Sequence, residues 1–126
     1  MAQAAAQTAD CIQVDVPSLA VLDRDHLARM TFGDRNLERE VLQLFDRQAE
    51  LLLDRIRTSQ PSAIVTLAHT LKGSAVGIGA TRVARAAADA EAIAQTRPGE
   101  SALAIAQLAR AVEEARLEIA ALIDGQ

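Results

Sequence analysis

The sequence predicts an all-α fold: an antiparallel up-down four-helix bundle with a short extra N-terminal helix. Three observations predict it. Half of the 126 residues are apolar but only two are aromatic, and the helix formers alanine, leucine, glutamate and arginine are abundant. Strand-favouring β-branched and aromatic residues are sparse. Apolar residues recur at a 3.6-residue period through four long segments, and the short breaks between them favour antiparallel neighbours. The chain length fits one domain with one modest core.

Residues 1–17, small and polar and ending in Pro17, read as a flexible N-terminal segment. "LDRDHLARM" (22–30) suits a short helix, with Asp23 as N-cap because its carboxylate can accept from the free amides of the first turn. "TFGD" breaks the pattern, and Asp34 is the next N-cap. From there Leu37, Val41, Leu44, Phe45, Leu52 and Ile56 mark the core stripe of a helix of about six turns, which ends near "RTSQP" (57–61). Pro61 fits the first turn of the next helix, whose stripe is Ile64, Leu67, Ala68, Leu71, Ala75 and Ile78. "GIG" (77–79) supplies the turn. An alanine-rich helix runs from about Arg82 to Gln95 through Val83, Ala87, Ala90 and Ile93. After "TRPGE" (96–100) a last helix carries Leu103, Ala106, Leu108, Val112, Ala115, Ile119 and Leu122.

Composition also excludes. A net charge of −4 argues against nucleic acid, whose binders show a basic stripe. The single cysteine, Cys11, rules out an internal disulfide framework and reads as a bland free thiol. "MAQAAAQTA" (1–9) lacks the basic start and apolar core of a secretory signal. No apolar run approaches the roughly 20 residues needed to span a bilayer. A soluble, cytoplasmic protein without a membrane partner is expected.

The chemistry concentrates in "AHTLKGSAVGIGA" (68–80), which holds the chain's only lysine, Lys72, although arginine occurs twelve times. On a helical wheel with Ile64 at the centre of the core stripe, Lys72 and Val65 fall about a quarter-turn away. Val76 and then His69 lie further round, and Gly73 stands opposite the core. His69 therefore points away from the core, flanked by two valines and with glycines beside it. Such an exposed apolar patch marks a partner surface. A solvent-facing histidine is usually polar filler, and a lysine nearby is usually surface charge. Gly73 is harder to dismiss, because a mid-helix glycine costs about 1 kcal/mol relative to alanine. A bare backbone one turn beyond the imidazole leaves room for a bulky group on the ring or for a close partner.

A phosphoryl group fits. Neutral imidazole is a nucleophile, and Lys72 is placed to offset the anionic charge that it would gain. Metal binding has less support, since His26 is the only other histidine and no His/Cys cluster or i, i+4 His pair exists. A Ser-His-Asp site is likewise unsupported. If the hairpin turns near Ala80, His69 lies eleven residues before it and Glu91 eleven after, at similar height in an antiparallel pair. Glu91 could then bond one ring N–H and leave the other nitrogen free to attack. Its alternative is a solvated surface charge.

"AHTLKGSAVGIGATRVARAAADAE" (68–91) resembles the core motif of histidine-containing phosphotransfer (HPt) domains: His-x-Leu-Lys-Gly, a second glycine six residues on, small or apolar positions, then Glu or Gln in the following helix. The matching positions are His69, Leu71, Lys72, Gly73, Gly79, Val83, Ala87 and Glu91, and the upstream helix with Phe45 extends the resemblance over roughly residues 19–122. Ala87 and Ala90 are smaller than the residues common there. The resemblance implies an HPt-like bundle over 18–126, with His69 as phosphoacceptor, Lys72, Gly73 and Glu91 supporting it, and Val65, Val76 and Gly77 as docking face.

It further implies exchange of the phosphoryl group with the aspartate of response-regulator receiver domains, in a phosphorelay fed by a histidine kinase. The receiver would bring the Mg²⁺, so the chain itself needs no cofactor or metal and is a phosphocarrier without self-sufficient catalysis. Two alternatives stand beside this reading. One is a helical adaptor bundle whose histidine is idle. The other is the phosphoacceptor module of a histidine kinase system, less expected because the chain starts with Met1 and holds no ATP-binding motif or second domain.

Overall fold

A computed structural model describes residues 20–125; the segment expected over 1–17, Cys11 included, lies outside them. The described residues form α1 (Arg24–Met30), α2 (Arg35–Thr58), α3 (Pro61–Ile78), α4 (Thr81–Thr96), a 3₁₀ turn (Pro98–Glu100) and α5 (Ser101–Asp124), with no strand among them. α3 packs against α2 and α4, and α5 against α2 and α4. No helix among the described residues is long and apolar enough to cross a membrane.

The helix ends carry the chemistry expected of them. The Asp23 carboxylate accepts from the His26 amide at 3.0 Å, and Asp34 accepts from the amides of Asn36 and Leu37. Pro61 opens α3, where its missing N–H leaves nothing unsatisfied. Gly79 closes α3 in the left-handed region at φ 81°, and its N–H returns to the carbonyls of Ala75 and Val76. A Cβ at Gly79 would also stand 2.9 Å from the Asp23 carbonyl oxygen, so conformation and space both demand glycine.

That close approach belongs to a strap between the start of α1 and the α3–α4 turn. The Asp23 amide donates to the Gly79 carbonyl at 2.8 Å, and the Thr81 hydroxyl to the Ala20 carbonyl at 2.9 Å. His26 Nε2 donates to the Gly77 carbonyl at 3.2 Å. His26 is thus a structural clasp that satisfies a carbonyl in the last turn of α3.

Leu27, Leu42, Ile56, Leu71, Leu108 and Ile119 are fully buried, each stabilising the fold by about 1.5–3 kcal/mol. Between α3 and α4 the packing is small: Ala68, Ala75, Ala87 and Ala90 are all buried. Side-chain size at a contact sets how near two helices come. Alanines here let α3 and α4 approach closely.

Three expected core positions face solvent instead. Leu44 is 59% exposed and Leu103 68%, and Ala106 is exposed as well. In α2 the inward face runs through Leu42, Phe45, Ala49, Leu52, Leu53 and Ile56, while Leu37 and Val41 are half-buried. The leucines of α2 cover more than one flank, so a period alone does not select the centre of the stripe. Its rotation is tied by Arg116 of α5, which pairs with Asp46 at 2.8 Å and with Glu50 at 3.5 Å. In α5 the small residues Ala104 and Ala111 turn inward and the larger Leu103 turns out, because the neighbouring helices lie close. Leu67, Ile93 and Leu122 are half-buried rather than central. Val65, expected on the open face, is also half-buried and packs against the core.

Candidate functional site

His69 stands midway along α3, its side chain 66% exposed. One turn along the same helix is Lys72, and across the groove on α4 is Glu91, whose side chain is only 18% exposed. His69 Nδ1 lies 3.0 Å from Glu91 Oε2, and Lys72 Nζ lies 3.1 Å from Glu91 Oε1. Each carboxylate oxygen therefore takes one nitrogen from α3. The small residues between the two helices make this reach possible, since a short Glu side chain spans the groove from a half-buried position.

Opposing effects set the charge of Glu91. Partial burial pushes its carboxyl up, but hydrogen bonds from Lys72 and His69, together with their charges, outweigh this and hold it below the ordinary 4.5. The group is a carboxylate at neutral pH and can only accept hydrogen bonds. Nδ1 must then carry the proton of the shared bond, which leaves the lone pair of neutral His69 on Nε2, the outer nitrogen.

The space beyond the ring is open. A Cβ built at Gly73 or at Gly77 would meet nothing within 4 Å. Both glycines lie on the side of α3 that carries His69, and Val76 beside them is 57% exposed. Of the residues singled out in the sequence, His69, Lys72 and Glu91 are brought together, while Gly73, Gly77 and Val76 line the adjoining surface. Val65, one turn before His69, is drawn toward the core instead.

The Lys72–Glu91 pair is absent from the sequence expectations, which set Lys72 as a free charge for an incoming anion. A signal for it exists. On their wheels Lys72 and Glu91 both fall about a quarter-turn from the core direction, on the flanks that face each other. Among the described residues no group of three or more His, Cys, Asp or Glu is placed to hold a metal ion.

The fold and the site together define a helical module that holds an exposed histidine by a carboxylate from the next helix and leaves Nε2 outward. The family model described as "Hpt domain" matches residues 37–125, from the first turns of α2 to the end of α5. The chain belongs to the Hpt domain family. Comparison with curated proteins and with solved structures gave no match. Family membership carries a histidine phosphotransfer role in phosphorelays, in which Hpt domains interact with receiver domains and histidine kinases.

Proposed function

We propose that this chain is a phosphocarrier that accepts and donates a phosphoryl group on Nε2 of His69, exchanging it with the aspartate of response-regulator receiver domains. The observation that carries the reading is the tethered, exposed imidazole, with Nδ1 held by Glu91 and Nε2 facing outward. In the forward step the Nε2 lone pair attacks phosphorus and forms the N–P bond. The bond between phosphorus and the aspartyl oxygen breaks, and its electron pair leaves with the receiver carboxylate. The ring gains positive charge while Nδ1 keeps its proton, and the Glu91 carboxylate offsets that charge. Donation reverses each movement.

Lys72 holds the other oxygen of Glu91 and stands one turn from His69. Its flexible ammonium can move from the carboxylate to the bound phosphoryl group, to which the open surface over Gly73 gives access. Val76 forms the exposed part of the receiver-docking face, with Gly77 beside it and the half-buried Val65 at its edge. The Mg²⁺ that offsets phosphate charge during transfer is the receiver's contribution. We read the four longer helices as an antiparallel up-down bundle. The pairing of Arg82 near the start of α4 with Glu114, just past the middle of α5, supports this, as does the His69–Glu91 contact across the α3–α4 hairpin.

The test is His69→Gln. The variant should fold normally, because the side chain faces solvent, and should take no label from a receiver domain phosphorylated on its aspartate. Undiminished labelling, or labelling transferred to His26, would overturn the reading.

A further inference from the structure

The face of α5 that points away from the bundle carries a pattern that phosphotransfer does not use. α5 buries Ala104, Leu108, Ala111, Val112, Ala115 and Ile119 against its neighbours. On the other side, Leu103, Ala106, Arg110, Glu113, Leu117 and Ala120 are all exposed, Leu103 at 68% and Leu117 at 63%. These six recur at alternating steps of three and four residues, the a/d spacing of a heptad seam. The two well-exposed leucines, each followed three residues on by an exposed alanine, leave this seam without a partner inside the bundle.

The residues along the seam say which helix. They are symmetric about the peptide between Ala111 and Val112. If a second α5 is laid antiparallel across that point, Leu103 of one chain faces Ala120 of the other. Ala106 faces Leu117, and Arg110 faces Glu113, each contact occurring twice. Large side chains meet small ones, and opposite charges meet at the centre. Among the described residues neither Arg110 nor Glu113 takes part in a salt bridge or side-chain hydrogen bond within its own chain; Glu113 acts there only as one of the charges around Arg116. A parallel, in-register pairing would instead set Arg110 against Arg110 and Glu113 against Glu113, which like-charge repulsion disfavours.

We propose that the outer face of α5 is a two-fold, antiparallel dimerisation surface whose partner is a second copy of this chain. The contact is isologous, so it closes on itself and does not propagate. It spans about 18 residues, or roughly 27 Å of helix. A single helix pair of that length falls below the roughly 1,200 Å² of a standard stable interface, so the dimer is concentration-dependent. The chief neighbours of α5 are α2 and α4, not α3, so the contact leaves both His69 side chains uncovered.

Sedimentation velocity of the chain, from the micromolar into the millimolar range, tests the proposal. A monomer–dimer equilibrium should appear. Arg110→Glu and Glu113→Arg should each weaken it by about tenfold or more, since each sets two pairs of like charges at the interface. The double variant R110E/E113R should recover the dimer, because the pairing is restored with its signs exchanged. Leu117→Glu should leave a monomer. All these positions are exposed, so circular dichroism should show unchanged helix content and separate lost association from lost fold. A chain that stays monomeric throughout, single reversals without effect, or a double reversal that fails to recover association would each overturn the proposal.

Discussion

Nδ1 of His69 lies 3.0 Å from Oε2 of Glu91, across the groove between α3 and α4. The two residues are 22 positions apart, one on each arm of the α3–α4 hairpin. The other oxygen of the same carboxylate holds Lys72 at 3.1 Å. One residue on α4 therefore sets the tautomer of the proposed nucleophile and also the resting position of the cation next to it.

Removing that carboxylate should release both partners at once. Glu91→Ala should slow single-turnover phosphotransfer by up to about 100-fold, through a misplaced imidazole, without abolishing it. Glu91→Gln should be intermediate, because an amide oxygen still accepts from Nδ1–H but carries no charge against the phosphorylated ring. Rapid-quench labelling of the two variants checks the order. Equal rates for both would assign the effect to the lost charge alone, since only Gln keeps the acceptor for Nδ1–H.

The same carboxylate should make stability pH-dependent. Its pKa in the folded chain lies below the ordinary 4.5, so the unfolded chain binds its proton more readily. The Glu91 contribution is thus fully present above about pH 5 and is lost as pH falls through the lowered folded-state value. Thermal melts of the wild type and Glu91→Gln should show a gap at neutral pH that closes on acidification. A gap unchanged down to pH 3 would contradict this assignment.

Two glycines downstream of His69 should respond in opposite ways to alanine. Gly73 is in helix with open space around it, so Gly73→Ala should stabilise by up to about 1 kcal/mol. Gly79 combines φ 81° with a contact that a Cβ could not clear, so Gly79→Ala should destabilise by more than about 1 kcal/mol. Denaturant melts decide both signs. Gly73→Gln should fold but accept phosphate poorly, since its side chain fills the space one turn from the ring.

The two valines should also separate. Val76 is 57% exposed, so Val76→Glu should leave the melting temperature nearly unchanged while weakening transfer through poorer receiver binding. Val65 is half-buried against the core, so Val65→Glu should lower stability as well, by about 1–3 kcal/mol for a charge brought into a partly desolvated site. Equal stability of the two variants would count against the burial of Val65.

The helical class, the breaks and the caps were legible in the sequence because they rest on local physics. Asp23 and Asp34 cap through amides two or three residues away, and Pro61 and Gly79 act through their own backbone angles. The outward direction of His69 and its height beside Glu91 were legible as well, since helical geometry converts residue spacing into angle and rise. The rotation of α2 and α5 was not. Leu44 and Leu103 satisfy the period as well as Leu42 and Ala104 do, and only the neighbours' shape and the Arg116 pairs with Asp46 and Glu50 select between them. Packing between helices likewise rests Lys72 on Glu91 and brings His26 to the Gly77 carbonyl. Those contacts depend on how close two helices come, and that distance is set jointly by side chains far apart in the chain.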